Sequence, residues 1–197
     1  MTAKSSLNIL IADNESIIRL DVREMLESAG HTVVGEATNG AEALTMAKKL
    51  KPDLVIMDIK MPVMDGLTAA KSIAATNIAP VILLTAFTQK EIVERAKTSG
   101  VLAYLVKPVR RQDLFPAIEI AVSRHREMTQ LSADLAAAKD ALDTRKTLDR
   151  AKGIIMAKHN LTEEEAYNRI RSYCMQKRRS IKDVAEAILR AADKHTH

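Results

Sequence analysis

The 197-residue sequence has a single cysteine and no long apolar run. Cys174 alone cannot form an internal disulfide bond, and without clustered cysteines or histidines it gives no metal-binding signature, so a reducing compartment is expected. No apolar run approaches the roughly 20 residues that a membrane-spanning helix needs, and the N-terminus carries no small-residue cleavage site of a signal peptide. The sequence therefore predicts a cytoplasmic protein that does not act at a membrane.

Most of the chain has no excess of positive charge, and the excess is concentrated in its last quarter. Residues 1–144 contain 17 lysines and arginines against 18 acidic residues, a net charge of −1, whereas residues 145–197 contain 13 against 7, a net charge of +6. The whole composition, 47% hydrophobic and 28% charged, is that of a globular protein. The asymmetry suggests two modules, the second with an anionic partner, although solvated helix faces would produce the same counts.

The first 120 residues alternate β-rich apolar runs with helical periods. The predicted strands cover 8–12, 32–37, 53–58, 80–86 and 101–107, and the helices between them cover 16–30, 40–50, 66–75 and 89–100. Several strands are apolar on both faces, which is typical of parallel strands covered by helices. Five β/α repeats predict an α/β domain with a doubly wound parallel sheet and right-handed crossovers.

From about residue 111 the pattern is helical. An a/d seam with the spacing 3, 4, 3, 4 predicts a short coiled-coil linker over 123–144, formed by Met128, Leu131, Leu135, Ala138 and Leu142. A homodimer joined through this coiled coil is expected. The alternative is a lone helix that lies on its own domain, because the alanines also reflect plain helix propensity.

The last segment, 145–197, divides into three helical stretches. The first runs from Leu148 to His159, and capping boxes at Thr162/Glu165 and Ser180/Asp183 begin the other two. Each stretch has an apolar stripe, so a small three-helix bundle is predicted.

Polar residues stand at the carboxyl ends of the predicted strands, where open parallel sheets gather functional groups. They are Asp13, Asn14 and Glu15 after the first strand, Asp58 after the third, Thr85 after the fourth and Lys107 after the fifth. Clustered carboxylates repel one another unless a cation lies among them, and oxygen ligands suit Mg²⁺. A carboxylate beside Mg²⁺ and a lysine could attack phosphorus, and Asp58 is the natural nucleophile.

Three motifs, IMDIKMPVMDG, LLTA and AYLVKP, resemble the receiver domain of two-component response regulators over residues 7–125. The resemblance implies a flavodoxin-like domain over 1–122 with strand order 2-1-3-4-5. It implies that Asp58 accepts a phosphoryl group from a sensor histidine kinase. Further implied roles are Asp13 and Asn14 as the acidic pair, the Lys60 backbone carbonyl as a Mg²⁺ ligand, Thr85 and Tyr104 as the switch pair, and Lys107, before a cis Pro108, as a phosphoryl contact.

Asn14 departs from that pattern, which usually has two acids. An amide offers only a neutral oxygen, so Mg²⁺ binding is expected to be weaker than with an acid. Glu15 could compensate, but its side chain is expected to face the start of the following helix. The expectation is reduced metal affinity or phosphorylation, which Asn14→Asp should improve.

The basic tail carries a second resemblance. LDRAKG, LTEEEAY and RRSIKDVA are similar to the ANTAR domain, an RNA-binding antiterminator module, over residues 145–192. The resemblance implies binding to hairpins in nascent mRNA leaders through Lys152, Gly153, Arg171, Arg178, Arg179 and Ser180. Gly153 lets a backbone approach closely at a cost of about 1 kcal/mol in helix propensity, but tight helix packing would also explain it.

Together these features predict a non-enzymatic, phosphorylation-controlled RNA-binding antiterminator. Two alternatives stay open: a DNA-binding regulator that uses the same basic bundle, and a receiver whose coiled coil serves only protein contacts. If phosphorylation of Asp58 changed nothing, Asn14 would suggest control by a partner protein instead.

Overall fold

The computed structural model describes residues 6–86 and 102–193. The strands are β1 (Asn8–Ala12), β2 (Thr32–Ala37), β3 (Leu54–Asp58), β4 (Val81–Thr85) and β5 (Ala103–Val106). The helices are α1 (Ser16–Ser28), α2 (Gly40–Leu50), α3 (Gly66–Ala75), α4 (Arg111–His159), α5 (Glu163–Lys177) and α6 (Ile181–Asp193). The chain divides into two compact units, residues 1–130 and 131–197, which are described separately.

The first unit contains a parallel five-stranded sheet with the order β2-β1-β3-β4-β5, which confirms the predicted topology. In the ladder Ala12 is paired with Met57, and Thr85 is paired with Val106. The residues that follow these pairs therefore leave the sheet side by side at its carboxyl edge. This register is what places Asp13, Asp58 and Lys107 close together.

Each face of the sheet is covered by helices, because β1, β3 and β4 consist mostly of apolar residues whose side chains are buried on both sides. One face packs against α2 and α3 through residues such as Val55, Leu67 and Ile73. The other packs against α1 and the beginning of α4 through Leu26, Leu114 and Ile118. The resulting core holds the carboxyl edge of the sheet in a fixed geometry.

In the first unit, the predicted bounds of strands and helices agree with the structure to within one or two residues wherever it describes them. In the second unit, the helix predicted to begin at Leu148 is instead the end of a helix that begins at Arg111. The predicted helix 89–100 lies outside the described residues. At the start of α2, Asn39 Oδ1 accepts from the Glu42 N–H, whereas the Glu42 carboxylate accepts from the Thr38 N–H.

Helix α4 contains both the predicted coiled-coil segment and the first helix of the tail without interruption. The apolar seam on it is exposed, with 59% exposure at Met128, 70% at Leu131 and Leu135, and 52% at Leu142. Among the residues that the structure describes, none of the helices is long and apolar enough to pass through a bilayer.

In the second unit, α5 and α6 close on the last turns of α4 around a small core of Ala151, Ile170, Val184 and Ala185. The capping box of Thr162 and Glu165 that begins α5 is complete, which confirms that prediction. Ser180 Oγ accepts a hydrogen bond from the Asp183 N–H at 3.1 Å and so caps the start of α6. The predicted three-helix arrangement is therefore present, with the first helix as the end of α4.

Candidate phosphoacceptor site and nucleic-acid interface

The carboxyl edge of the sheet forms a pocket of about 220 Å³ that is centred on Asp58. It is lined by Asn14, Glu15, Asp58, Ile59, Lys60, Thr85, Ala86 and Lys107. Asp58 and Thr85 are buried, at 5% and 4% exposure. The structure thus brings residues from the ends of β1, β3, β4 and β5 into one small polar cavity, as the sequence predicts.

Lys107 is the central positive charge of this pocket. Its Nζ lies 2.7 Å from Asp13 Oδ2, 3.2 Å from Asp58 Oδ1 and 3.3 Å from Glu15 Oε1. Burial alone would lower the pKa of Lys107, but the Asp13 and Asp58 carboxylates outweigh it and raise that pKa above its usual value. The lysine is therefore a fixed cation at neutral pH.

Asp58 is the most perturbed acid of the site. Burial raises its pKa above the usual value, Lys107 opposes that rise, and the nearby Asp13 carboxylate adds to it. A buried carboxylate that retains a cationic neighbour is suited to nucleophilic chemistry at phosphorus, since it is more basic than an exposed aspartate.

The backbone around Asp58 is closely covered by the beginning of α3. Asp65 caps this helix by accepting from the Thr68 N–H, and the Gly66 N–H donates to the Ile59 carbonyl at 2.9 Å. A Cβ atom at Gly66 would lie 1.9 Å from the Asp58 carbonyl oxygen. Only glycine permits this approach, so the DG pair of the motif fixes how α3 packs against the end of β3.

Asp13 is held rigidly beside Asp58. It is fully buried, its Oδ1 accepts from the Glu15 N–H at 2.9 Å, and its carbonyl accepts from Arg19 Nη1 at 2.7 Å. Its Oδ2 accepts no hydrogen bond of good geometry among the described residues and faces the Lys107 ammonium. Asp13 thus presents one oxygen to whatever cation occupies the pocket.

Glu15 does not face the start of α1, contrary to the prediction. It occupies the N-cap position of α1, but its side chain makes no capping hydrogen bond, and its carboxylate lies against Lys107 instead. The attraction of the partly buried ammonium explains this orientation. No local sequence pattern indicates this contact, because Glu15 and Lys107 are 92 positions apart.

The remaining predicted residues of the receiver site lie nearby. Tyr104 lies on β5, opposite Leu83, and is 48% exposed, whereas Thr85 is buried. The peptide bond between Lys107 and Pro108 is cis, as the resemblance implies.

In the second unit, the predicted RNA-binding residues form two groups at opposite ends of α5. Lys152 and Gly153 line a pocket of about 460 Å³ together with Arg145, Glu163 and Tyr167. Arg178, Arg179 and Ser180 follow the other end of α5, about 22 Å away along a helix that rises 1.5 Å per residue. The exposed Arg171 lies on the helix between them.

Lys152 is not a free cation. Its Nζ lies 2.8 Å from Asp149 Oδ1 and 2.6 Å from Glu163 Oε1, and these contacts raise the pKa of Lys152. No described heavy atom lies within 4 Å of a Cβ built at Gly153. Tight packing inside this unit therefore does not explain the glycine, and its open face is accessible to a ligand.

Arg178 ends α5 in a left-handed conformation, with φ of 51°. The Arg178 N–H donates to the Met175 carbonyl, and the Arg179 N–H donates to that of Cys174. These bonds turn the chain sharply into α6, so both guanidinium groups leave the backbone at an exposed corner.

Comparison with known proteins identifies a domain in each of the two units. The model of the response regulator receiver domain matches residues 9–119, and that of the ANTAR domain matches residues 136–189. The chain belongs to the response regulators, with an N-terminal receiver domain and a C-terminal ANTAR domain.

A curated relative extends over nearly the whole chain. The transcriptional regulatory protein PdtaR of Mycobacterium tuberculosis is 50% identical over 181 residues, which cover 92% of this chain and 88% of PdtaR. The chain is thus similar to a transcription regulator across both domains.

Solved structures match the receiver part. The receiver domain of a modulated diguanylate cyclase from Desulfovibrio desulfuricans is 32% identical, with a TM-score of 0.59 over 63% of this chain and 99% of that one. A chain from the CheX–CheY–BeF3–Mg²⁺ complex of Borrelia burgdorferi is 28% identical, with a TM-score of 0.54 over 56% of this chain and 85% of that one.

Proposed function

We propose that this response regulator receives a phosphoryl group on Asp58 from a sensor histidine kinase and, in response, binds hairpins in nascent mRNA leaders and prevents transcription termination. The observation that carries this proposal is a buried, lysine-paired Asp58 in the same chain as a basic ANTAR unit. The receiver provides the input, and the ANTAR unit provides the output.

The chemistry at Asp58 is a transfer of phosphorus between two nucleophiles. A carboxylate oxygen of Asp58 forms a bond to phosphorus, the bond from phosphorus to the histidine nitrogen breaks, and the released imidazole takes a proton from solvent. The Lys107 ammonium, 3.2 Å from Asp58 Oδ1, neutralises charge on the phosphoryl oxygens. Thr85 lines the same pocket, and its hydroxyl donates to one of these oxygens in the proposed reaction.

The donor set of the pocket suits Mg²⁺. Asp13 Oδ2 is a buried oxygen turned toward a cation, and Asp58, the Asn14 amide oxygen and the Lys60 carbonyl complete a set of hard oxygen ligands. When bound there, Mg²⁺ would supply the positive charge that balances the phosphoryl group. The similar chain from the CheX–CheY–BeF3–Mg²⁺ complex of Borrelia burgdorferi supports this assignment.

Phosphorylation is tested on the full chain with acetyl phosphate and Mg²⁺, by intact mass. The wild type should gain the mass of one phosphoryl group, and Asp58→Asn should not. Asp21→Asn, which removes an exposed acid from α1, is the matched control and should behave like the wild type. Labelling of the Asp58→Asn chain to the same extent would rule out Asp58 as the acceptor.

RNA binding is supported by the +6 charge of residues 145–197 and by the exposed corner of Arg178 and Arg179. Binding should be compared at one salt concentration for hairpin RNA, the same sequence as duplex DNA, and unrelated RNA. Selective hairpin binding is expected, whereas a preference for the duplex would favour a DNA-binding regulator. Replacement of Arg178 and Arg179 by alanine should weaken binding, while replacement of Lys48 and Lys49 in α2 should not.

The link between the two sites is a shift in the Thr85 and Tyr104 region that changes dimerisation or access to the RNA-binding unit. It is tested by measuring RNA affinity and antitermination under phosphorylating conditions. If Asp58→Asn behaved like the wild type in both measurements, phosphorylation would not be the switch, and a partner protein would have to control the chain.

A further inference from the structure

Three carboxylates from separate positions converge on one cation in the phosphoacceptor pocket. Asp13, Glu15 and Asp58 each place an oxygen between 2.7 and 3.3 Å from the Lys107 ammonium. The positive charge at this point is the Lys107 ammonium itself, and the described residues form no ready-made group of three metal-binding acids, histidines or cysteines. Two of the acids are buried, whereas the Glu15 side chain is 60% exposed.

One neighbouring position lacks the charge that a divalent cation site needs. Asn14 lines the same pocket, but its amide oxygen is neutral. Among the described residues, Asp13 and Asp58 are the only buried acids. Ligand charge is one of the quantities that set affinity for hard cations, so two carboxylates alone should bind Mg²⁺ weakly.

Glu15 is placed to make up this deficit. Its N–H donates to Asp13 Oδ1 at 2.9 Å, which holds its backbone next to the buried acid. Its carboxylate is not used to cap α1 and lines the pocket. A glutamate is one methylene longer than an aspartate, and this length lets a residue one position further along the chain reach the pocket.

We propose that Glu15 supplies the negative charge that Asn14 lacks, so that the acidic pair of this chain is Asp13 and Glu15. This inference rests on the proposed phosphotransfer function, because it concerns the cation of the same pocket. Cation binding should then depend on Glu15 only while residue 14 is neutral.

A double-mutant cycle tests this dependence on the full chain, with Mg²⁺ as the probe. Mg²⁺ affinity is measured by calorimetry for the wild type, Glu15→Gln, Asn14→Asp and the double variant, and the rise in Tm with Mg²⁺ is a second readout. Glu24→Gln, which removes an exposed acid from α1, controls for the loss of one distant charge.

Glu15→Gln should weaken Mg²⁺ binding about tenfold in the wild-type background, the lower end of what supporting groups at metal sites contribute, because Glu15 is largely exposed. In the Asn14→Asp background the same change should have little effect. Glu24→Gln should leave the affinity unchanged in both backgrounds.

The other outcomes separate the two proposals. Suppose that Asn14→Asp binds Mg²⁺, and that Glu15→Gln either leaves the affinity unchanged or weakens it equally in both backgrounds. The proposed role of Glu15 is then wrong, but the proposed Mg²⁺ site is retained. The role of Glu15 is also wrong if the Asn14→Asp variant binds Mg²⁺ and the wild type does not. If neither chain binds Mg²⁺, the metal-assisted phosphotransfer fails, and the role of Glu15 fails with it.

Discussion

At the scale of single residues, Val63 combines backbone strain with exposure next to the phosphoacceptor strand. Its φ is 66°, and it is 88% exposed in the loop between Asp58 and α3. A β-branched side chain in the left-handed region costs about 1–2 kcal/mol, whereas asparagine tolerates that region. No packing gain offsets this cost, because the side chain projects into solvent.

Val63→Asn should therefore raise the free energy of unfolding by about 1 kcal/mol. Urea denaturation of the full chain measures the change. Asn77, with φ of 52°, offers the reverse control, since Asn77→Val should lower stability by a similar amount. An unchanged midpoint for both variants would show that these loops relax away from the left-handed region.

Burial of the Asp58 carboxylate lowers the free energy of unfolding by an amount that depends on pH. Its pKa is raised in the folded protein, chiefly by burial, so the folded state binds the proton more tightly than the unfolded state. Ionised Asp58 is thus destabilising above its folded pKa, and the chain gains stability from this group as the pH falls through that value.

Asp58→Asn should consequently be more stable than the wild type at neutral pH. The difference should shrink as the pH falls through the raised pKa, because the wild type then carries a neutral carboxyl. Thermal unfolding over a pH series measures this convergence, with Asp21→Asn as a control that shows no such trend. A constant difference at every pH would contradict the raised pKa.

At the scale of elements, α4 contains a glycine that its own unit does not require. Gly153 is exposed, and a Cβ atom there would meet no described heavy atom within 4 Å. Alanine in a helix interior is about 1 kcal/mol more favourable than glycine. A residue that lowers stability without a packing role is best explained by contact with a ligand.

Gly153→Ala should therefore stabilise the chain by about 1 kcal/mol and weaken hairpin binding. The two effects are measured by urea denaturation and by RNA titration. Ala141→Gly, at an exposed position earlier in α4, is the counterpart and should lower stability without affecting RNA affinity. If Gly153→Ala left RNA affinity unchanged, the glycine would not belong to the RNA surface.

At the scale of the whole molecule, the exposed seam of α4 predicts a dimer. Leu131 and Leu135 are each 70% exposed, so replacing them removes little packing within the protomer. In a coiled coil the same side chains would be buried against a second copy, and charged residues there would prevent pairing.

The double variant Leu131→Asp/Leu135→Asp should sediment as a monomer, whereas the wild type should sediment as a dimer. Ala133→Asp adds the same charge on another face of the helix and should stay dimeric. The monomer should keep its affinity for one hairpin but bind a paired-hairpin RNA more weakly, because linked sites raise the effective concentration. A wild type that sediments as a monomer at all concentrations would refute the proposed dimer.

Most of the fold could be predicted from the sequence, because its signals are local. Asn39, Asp65 and Thr162 begin helices through short-range hydrogen bonds, and apolar runs such as β3 belong to buried strands in any parallel sheet. The continuity of α4 was less apparent, since the coiled-coil pattern and the first helix of the tail differ in periodicity but share one backbone.

The sequence predicts which residues form the candidate sites, but it does not predict all the contacts that these residues make. Strand ends and motifs indicate that Asp58 and Lys107 meet, yet they do not reveal that Lys152 is held between Asp149 and Glu163. Ion pairs between distant positions depend on side-chain directions, and no periodicity records these.

The sequence by itself determined the order of elements, the excess charge of the tail and the neutral residue at position 14, because these follow from residue identities and short-range spacing. Only the tertiary structure decided what surrounds that neutral residue. Glu15 turns away from the helix that it precedes because the fold brings Lys107, 92 positions later, within 3.3 Å of its carboxylate. Attraction to a partly buried ammonium acts through space and not along the chain, so it exists only after the parallel strands have aligned their ends.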